Sequence, residues 1–447
     1  MALSTASMIN GAFDMSLILF LRNQIASHTL FTPNSTIKQR GPIPTVDPIG
    51  KRIAVHRTPG VRRNDDQNQS QEHTMDIGVP REVKTAERRV GLTPAAAGEL
   101  VNRGHKVSVE TGAGDGAGFN DVDYKEVGAV ITGTADDVFA DSEMIVKVKE
   151  PLAPERARLQ SHHTLFTYLH LAADRPQTDD LLASGATCIA YETVTDDAGR
   201  LPLLAPMSAI AGRMSIQAGA HALEATQGGA GLLLGGVPGV RPGKVVIIGG
   251  GVVGENAAEM AVGLGAEVTV LDRSPAVLDG LAKRFAGRVK TVYSTKAELD
   301  ASVFDADLVI GAVLVKGARA PHLVTRDMLG RMRPGSVIVD VAVDQGGCFE
   351  TTKATTHTDP TYVVDGVVHY CVANMPGAVS RTSTQALSNA TLPFTLALAD
   401  KGTDAALKAD PHLMNGLNVC AGKVTDRAVA ETFDLEYIEP LIALAAR

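Results

Sequence analysis

A glycine-rich turn between two apolar strands is the most informative candidate site in this chain. It reads Gly249-x-Gly251-x-x-Gly254, with an apolar strand before it and a helical pattern after it. The first glycine allows a tight turn, the second lets a pyrophosphate approach the backbone, and the third lets helix and strand pack closely. Free N–H groups at the start of the helix favour a negative charge. A second apolar strand ends at Asp272, about 20 residues on, where a carboxylate can bond a ribose 2′-OH. The pattern predicts a nicotinamide dinucleotide site, rather than a structural glycine turn, formed by Gly249, Gly251, Val252, Val253, Gly254 and Asp272.

The residue after Asp272 bears on which dinucleotide binds. Arg273 could accommodate the 2′-phosphate of NADP, whereas the carboxylate of Asp272 would repel it. We expect the repulsion to dominate, and therefore NAD as the cofactor.

Three polar residues follow predicted strands in the first half of the chain. Lys149 ends the run Met-Ile-Val-Lys-Val-Lys, His170 ends Leu-Phe-Thr-Tyr-Leu-His, and Arg89 lies in the loop after the first strand. Ligands in open α/β sheets bind beyond the carboxyl ends of the strands. Arginine and lysine together can hold a small carboxylate, and a histidine beside them can exchange protons near neutral pH. Each also has an ordinary interpretation, as a solvated charge or a packing residue.

Two carboxylates in the second half compete for a place in the same cleft. Asp344, in Val-Asp-Gln-Gly-Gly, follows a strand of the nucleotide sheet and should face the nicotinamide, with glycines that let the backbone bend close to it. Asp340 lies in that strand and could equally be a buried structural carboxylate. A metal site is not expected, because His162 and His163, as neighbours on a strand, would point to opposite faces.

These residues need an α/β scaffold to bring them together. From Met75 onward, strands and helices alternate at βαβ spacing, which predicts parallel sheets with helices on both faces. We expect a substrate domain that begins with 75–202, an NAD-binding Rossmann domain over 203–380, and helices in 381–447 that return to the substrate domain. The predicted fold is therefore α/β, with two doubly wound Rossmann-like domains and the NAD domain inserted into a discontinuous substrate domain. A second glycine-dense run, at 111–118, never gives GxGxxG, and we expect a flexible turn with no helix opening after it.

Composition argues against several classes of protein. The net charge of −8 argues against non-specific nucleic-acid binding, and no apolar stretch reaches the roughly 18 residues of a membrane span. The four cysteines form no CxxC pair, which suits reduced thiols in a cytoplasmic protein. Residues 1–74 include a long polar tract and no core pattern, so we expect a disordered leader, with a targeting or partner segment as the alternative.

Eight short segments resemble alanine dehydrogenases, and the similarity runs from Met75 to the C-terminus. They are Gly-Val-Pro-Arg-Glu-Val-Lys (78–84), Arg-Arg-Val-Gly-Leu-Thr-Pro (88–94), Val-Lys-Glu-Pro (148–151), Tyr-Leu-His-Leu-Ala (168–172), Leu-Leu-Ala-Pro-Met-Ser (203–208), Gly-Gly-Val-Pro-Gly-Val (235–240), Asp-Gln-Gly-Gly-Cys-Phe-Glu (344–350) and Val-Ala-Asn-Met-Pro (372–376).

The resemblance implies an NAD-dependent, reversible oxidative deamination of L-alanine to pyruvate and ammonia, by hydride transfer from Cα. It assigns the substrate carboxylate and keto oxygen to Arg89 and Lys149, acid–base catalysis to His170, and the proton and water steps at the imine carbon to Asp344. It also implies that Met207 and Ser208 contact cofactor or substrate, and that Asn374 lies near the nicotinamide of the bound cofactor. Members of the family are typically hexamers, so the resemblance implies a homo-oligomer.

Three alternative functions stay open at this point. The NAD-binding subunit of a transhydrogenase shares the architecture but transfers hydride to a second nucleotide, and His170 and the Asp344-Gln-Gly-Gly segment argue against it. A saccharopine-type dehydrogenase is a weaker alternative. A non-catalytic NAD-binding protein would bind NADH without turning over any amino acid.

Overall fold

The computed structural model describes residues 73–313 and 321–447, which build two parallel-dominated sheets with helices around them. The predicted leader lies outside the described residues, apart from its last two positions. In chain order the strands are β1 (Asp76–Val79), β2 (Lys106–Glu110), β3 (Val130–Thr132), β4 (Met144–Val146), β5 (Thr164–Thr167), β6 (Thr187–Ala190), β7 (Lys244–Ile248), β8 (Glu267–Asp272), β9 (Val289–Tyr293), β10 (Leu308–Gly311), β11 (Val337–Asp340), β12 (Thr361–Val364), β13 (Val367–Tyr370), β14 (Leu417–Cys420) and β15 (Lys423–Val424). The helices are α1 (Pro94–Asn102), α2 (Asp121–Glu126), α3 (Ala135–Ala140), α4 (Ala153–Arg156), α5 (Arg175–Ser184), α6 (Ala205–Ala222), α7 (Val252–Gly263), α8 (Pro275–Phe285), α9 (Lys296–Phe304), α10 (Arg326–Leu329), α11 (Ser380–Lys401), α12 (Thr403–Ala409), α13 (Pro411–Met414), α14 (Arg427–Phe433) and α15 (Pro440–Ala445).

The first sheet has eight strands in the order β15-β14-β6-β5-β4-β1-β2-β3. Strands β1 to β6 pair in parallel, whereas β14 pairs antiparallel with β6, and β15 pairs antiparallel with β14. The strands β4, β5 and β6 are buried along their whole length, as central parallel strands with covered faces must be.

The second sheet has seven strands in the order β12-β13-β11-β10-β7-β8-β9. Every pair is parallel except the edge hairpin of β12 and β13. The two mainly parallel sheets confirm the α/β class and the two Rossmann-like domains that the sequence predicts.

Each sheet has one central strand at which the winding of the chain reverses. Strand β1 lies between β2 and β4, and β7 lies between β8 and β10. Ligands in such sheets bind in the crevice at this reversal, beyond the carboxyl ends of the strands. The segments that follow β1, β4 and β5 carry Arg89, Lys149 and His170, and the glycine turn follows β7.

The last part of the chain returns to the first sheet. Helix α11 packs against both α1 and α6, and β14 and β15 extend the sheet beyond β6. The sequence pattern predicts the helices here but not the two strands, because a short run such as Leu-Asn-Val-Cys has no period that separates it from a loop. The domain boundaries at 202 and 380 stay a proposal.

The expectation for the glycine-dense run at 111–118 is wrong in one respect, because a helix does open after it. The side chain of Asn120 accepts the N–H groups of Val122 and Asp123, and the carboxylate of Asp123 accepts the N–H of Asn120. This reciprocal capping box nucleates α2. The signal was present in the sequence as Asn-Asp-Val-Asp.

The two adjacent histidines are also placed differently from the expectation. His162 and His163 lie in the turn before β5, not on a strand, and their ring centroids are 4.0 Å apart. The ring nitrogens of His163 bond to the backbone N–H of Gln160 and the carbonyl of Phe139, so neither is free to ligate an ion. Within residues 73–313 and 321–447, no group of three His, Cys, Asp or Glu side chains has the arrangement of a metal site.

Among the helices that the structure describes, none combines the length and the apolar character needed to cross a membrane. All four cysteines are buried free thiols.

Candidate active site

The glycine turn after β7 has the backbone and the space that a pyrophosphate needs. Gly249 adopts φ 105°, which side chains disfavour, and a Cβ there would lie 2.7 Å from the carbonyl of Ala312. A Cβ at Gly254 would lie 1.8 Å from the carbonyl of Gly249, so only glycine lets α7 begin this close to the strand. Among the residues that the structure describes, none lies within 4 Å of a Cβ built at Gly251, so they leave that side of the turn open to a ligand.

The carboxylate of Asp272 joins the glycine turn to the end of β8. Its Oδ2 accepts the N–H of Gly250 at 2.7 Å, and its Oδ1 accepts the N–H of Ser274 at 2.7 Å. The two bonds fix the carboxylate beside the turn, where the sequence pattern predicts a ribose contact. Arg273 lies next to it, after the last residue of β8. Val252 and Val253, the other predicted cofactor contacts, form the first turn of α7.

Arg89 lies at the centre of the predicted substrate site and is almost fully buried, with 2% of its side chain exposed. Its Nε and Nη2 donate to the two carboxylate oxygens of Glu87, at 2.7 and 2.5 Å. The remaining interactions of the guanidinium connect it to the second half of the chain. Nη1 donates to the sulfur of Met207 at 3.1 Å, and Nη2 donates to the Oδ1 of Asn374 at 2.9 Å.

Glu87 is the partner that makes this buried arginine possible. Burial opposes its ionisation, but the hydrogen bonds and the charge of Arg89 outweigh burial and lower the pKa of Glu87 to about 2. Its carboxylate also accepts a hydrogen bond from the Nδ2 of Asn374 at 3.0 Å. The two charges are fixed in a bidentate pair, whose geometry is more specific than that of a single ionic contact.

Asn374 connects Arg89 to the predicted catalytic carboxylate. It adopts a left-handed backbone with φ 56°, and its N–H lies 3.4 Å from the Oδ2 of Asp344, a long contact. Asp344 is exposed, in the short 3₁₀ turn Val343–Gln345 after β11. Met207 and Ser208 occupy the first turn of α6. The structure therefore brings together Arg89, Met207, Asn374 and Asp344, although they come from four separate segments.

The competing carboxylate, Asp340, has a structural environment. It is fully buried at the end of β11, and it accepts the N–H groups of Ala342 and Cys348 and the hydroxyl of Thr352. Burial raises the pKa of Asp340 above its ordinary value. These bonds hold the two ends of the loop that carries Asp344.

Lys149 lies just beyond the carboxyl end of β4. Buried charged side chains hold the backbone before it in place. The Oε1 of Glu82 accepts the N–H of Val148 at 2.7 Å, and its Oε2 pairs with the fully buried Lys147 at 3.2 Å. Burial disfavours the ammonium of Lys147, but Glu82 and Glu155 raise its pKa above the ordinary value. The Nζ of Lys149 lies 3.6 Å from the carboxylate of Glu150.

His170 follows β5, the strand next to β4. Its backbone is left-handed, with φ 52°, and its side chain is half exposed. The imidazole lies parallel to the ring of Tyr168, with centroids 5.8 Å apart, and its Nδ1 lies 3.7 Å from the Oε1 of Glu192. The Oγ1 of Thr167 donates to the carbonyl of Lys149 at 3.0 Å, which ties the ends of β4 and β5 together.

Several buried or partly buried carboxylates that support these residues were not predicted from the sequence. Glu82 and Glu87 lie in segments quoted for the resemblance, and Glu192 follows β6 in the sequence Tyr-Glu-Thr. The available signal was position, because a carboxylate just beyond an apolar strand lies at the same sheet edge as the site.

Most of the chain is similar to known protein families and to known enzymes. Residues 78–211 match the family described as alanine dehydrogenase/PNT, N-terminal domain, and residues 215–427 match alanine dehydrogenase/PNT, C-terminal domain. The chain is 65% identical over 365 residues to the alanine dehydrogenase of Halomonas elongata, across 82% of this chain and 98% of the relative. It is 53% identical over 371 residues to the alanine dehydrogenase of Mycolicibacterium smegmatis, across 83% of this chain and 100% of the relative.

Solved structures of two kinds of protein are also similar to this chain. A structure titled L-alanine dehydrogenase matches with a TM-score of 0.78 and 56% identity, over 80% of this chain and 99% of its own. A transhydrogenase from Sinorhizobium meliloti matches with a TM-score of 0.68 and 25% identity, over 79% and 99%. The likeness to the transhydrogenase is therefore the weaker of the two in both sequence and structure.

Proposed function

The chain belongs to the alanine dehydrogenase/PNT family, and on that basis we propose that it catalyses the NAD-dependent, reversible oxidative deamination of L-alanine. The overall reaction takes L-alanine, NAD⁺ and water to pyruvate, ammonium, NADH and one proton. The observation that carries the proposal is 65% identity to an alanine dehydrogenase over almost its whole length. The cluster of Arg89, Met207, Asn374 and Asp344 supports it, because it joins a carboxylate-binding group to the cofactor half of the chain.

The residues around the glycine turn suit NAD. The open side of Gly251 and the N-terminus of α7 would hold the pyrophosphate, and the fixed carboxylate of Asp272 would accept a ribose hydroxyl. Asp272 disfavours a 2′-phosphate, which is why we propose NAD and not NADP. When bound, NAD⁺ supplies the acceptor for the hydride that leaves the Cα of alanine.

Arg89 and Lys149 are the residues we propose to hold the substrate carboxylate and keto oxygen. The Nε and Nη2 of Arg89 are already committed to Glu87 and Asn374, whereas Nη1 donates to a thioether sulfur, a weak acceptor. A substrate carboxylate can replace that sulfur without disturbing the pair with Glu87. The arginine is therefore oriented before the substrate arrives, which reduces the ordering that binding requires.

His170 and Asp344 are the residues we propose to move protons. His170 must be neutral to accept a proton during alanine oxidation, whereas the reverse amination needs the charged imidazole. Asp344 handles the proton and the water at the imine carbon as ammonia leaves. Basic pH should therefore favour oxidation, which also follows from the proton that the overall reaction releases.

We also propose a cytoplasmic homo-oligomer, a hexamer by resemblance to the family. The four buried free thiols support a reducing compartment. Light scattering of the purified chain measures the oligomer size directly.

The test of the proposed function is NADH absorbance during turnover by the purified chain. We expect NADH to form from L-alanine and NAD⁺, and to be consumed with pyruvate and ammonium, with much lower rates for larger amino acids. Tight NADH binding with no turnover of any amino acid would favour a non-catalytic protein. Hydride exchange between NADH and an NADP⁺ analogue without alanine turnover would favour the transhydrogenase alternative.

A further inference from the structure

The carboxylate of Glu192 holds the backbone on which His170 stands. Glu192 lies in the 3₁₀ turn Tyr191–Thr193, directly after β6, the strand next to β5. Its Oε1 accepts the N–H of His170 at 2.5 Å and that of Leu169 at 3.1 Å, and its Oε2 lies 3.2 Å from the N–H of Leu169. Hydrogen bonds to an ionised acceptor are stronger than neutral ones. Glu192 therefore fixes the end of β5 to the end of β6.

The backbone that Glu192 holds is in an uncommon conformation. His170 has φ 52° and ψ 39°, the left-handed region that non-glycine residues rarely adopt. Such conformations persist only where the surrounding structure enforces them, and they concentrate at functional sites. The Nε2 of Gln177 adds a further tie, donating to the carbonyl of Leu169 at 2.6 Å. The position of the imidazole thus depends on hydrogen bonds to the N–H groups of Leu169 and His170 and to the carbonyl of Leu169.

The imidazole also faces this carboxylate. Its Nδ1 lies 3.7 Å from the Oε1 of Glu192, within ion-pair distance. Its ring lies within 3° of parallel to that of Tyr168, whose hydroxyl donates to the carbonyl of Leu203 at 2.6 Å. The partner of one imidazole nitrogen decides which nitrogen carries the proton. At 3.7 Å the contact is longer than a hydrogen bond, but the carboxylate is on the Nδ1 side of the ring and leaves Nε2 as the nitrogen we expect to exchange protons.

We propose that Glu192 is a positioning residue for the acid–base step. It holds the left-handed backbone of His170 and directs the Nε2 of that residue to the substrate, without touching substrate or cofactor itself. The side chain of Glu192 is only 15% exposed, so solvent weakly screens its bonds to the backbone N–H groups of Leu169 and His170. The proposal rests on the proposed function, in which His170 exchanges the proton.

Three variants separate this role from a general effect of charge or folding. E192Q removes the charge but keeps an oxygen that can accept the backbone N–H groups, whereas E192A removes both. D179N is the matched control, because Asp179 is an exposed carboxylate that pairs with Arg175 on α5. All three are compared with the unaltered chain in kcat and KM for alanine, in NADH affinity by titration, and in thermal unfolding. Two isotope effects on kcat are measured beside them, one from D₂O and one from alanine deuterated at Cα.

We expect E192Q to lower kcat by about 10-fold and E192A by about 100-fold. The larger loss equals the smallest contribution usual for acid–base catalysis, about 10²-fold. NADH affinity, the KM for alanine and the behaviour of D179N should stay within about two-fold of the unaltered chain. The solvent isotope effect should rise and the Cα-deuterium effect should fall, because proton transfer becomes rate-limiting when His170 is misplaced. A merely structural role would lower the unfolding temperature and leave both isotope effects unchanged.

Isotope effects in E192Q equal to those of the unaltered chain would overturn the positioning role, and so would a kcat within about two-fold in both variants. The glutamine variant keeps the test decisive if the alanine variant fails to fold, because it preserves the shape of the side chain. Failure of the unaltered chain to oxidise alanine would instead overturn the proposed function, and the positioning role with it.

Discussion

At the scale of single residues, the proposed substrate site contains charges that are already paired without substrate. Arg89 and Glu87 neutralise each other in the interior, and Asn374 contacts both. Breaking such a pair from one side leaves an uncompensated buried charge, at a cost of about 3–5 kcal/mol. Changes at Glu87 would therefore mix folding with catalysis, whereas His170 and Asp344, which are more exposed, report on chemistry more directly.

His170→Ala and Asp344→Ala should each nearly abolish alanine oxidation. General acid–base help contributes about 10²–10⁴-fold, and the loss of kcat should reach that order. NADH affinity should change little, because neither residue lies at the glycine turn. Steady-state kinetics in both directions, with NADH titration of each variant, measure the two effects separately. His221→Ala is a matched control, since His221 is an exposed histidine on α6 whose carboxylate partner is Glu224. Near-normal turnover in the His170 variant would contradict an acid–base role for His170 and favour a packing role instead.

Asp272→Asn should narrow the preference for NAD over NADP. The change removes the charge that repels a 2′-phosphate and leaves Arg273 to attract it, while the amide oxygen can still accept one of the two backbone N–H groups. The measurement is the ratio of kcat/KM for the two cofactors. Damage to the glycine turn alone would lower both values and leave their ratio unchanged. Equal use of NAD and NADP by the unaltered chain would contradict the role of Asp272.

At the scale of elements, the residues of the proposed site lie in the segments that follow the carboxyl ends of strands. The strands could be predicted from the sequence more completely than the contacts of the residues that follow them. Long apolar runs such as those of β7 and β8 have a clear pattern, and the residues after them could be named as candidates. Glu87 and Glu192 also follow strands, so their position at this edge could be predicted, but nothing in their local sequence states which neighbour in space they bond. Strands β14 and β15 were missed for a related reason, since two to four residues carry no detectable period.

The contact between α6 and α7 links packing to cofactor binding. A Cβ at Gly212 of α6 would lie 2.2 Å from the carbonyl of Val253, in the first turn of α7. Gly212→Ala should therefore push that turn aside, lower stability by about 1–3 kcal/mol, and weaken NADH binding. Thermal unfolding and NADH titration measure the two effects.

The matched control for that change is Gly280→Ala in α8. Gly280 lies inside a helix, and a Cβ there meets no atom of residues 73–313 or 321–447 within 4 Å. Removing a glycine from such a position should stabilise the protein by about 0.5–1 kcal/mol, with NADH affinity unchanged. If the Gly212 variant bound NADH as tightly as the Gly280 variant, the contact between the helices would not position the turn.

At the scale of the whole molecule, this chain matches two relatives over almost their whole length. The matches extend over 365 and 371 residues of this chain, which correspond to 98% and 100% of the two relatives. All the candidate site residues lie between Arg89 and Asn374. The leader, residues 1–74, contributes no residue to the site as we propose it.

A chain shortened to begin at Met75 should fold and oxidise alanine like the full chain. The shortened chain would lose one contact of His73, whose Nδ1 lies 2.8 Å from the carbonyl of Ala399, near the end of α11. Losing one such hydrogen bond costs about 1 kcal/mol, a small part of the stability of a domain. A chain that begins at His73 keeps this bond and is the matched control. Thermal unfolding should therefore rank the Met75 chain slightly below the His73 chain, with equal kcat and KM for alanine in both. Loss of folding or of turnover in both shortened chains would show that residues 1–72 are integral to the enzyme, whereas loss in the Met75 chain alone would assign that role to His73 and Thr74.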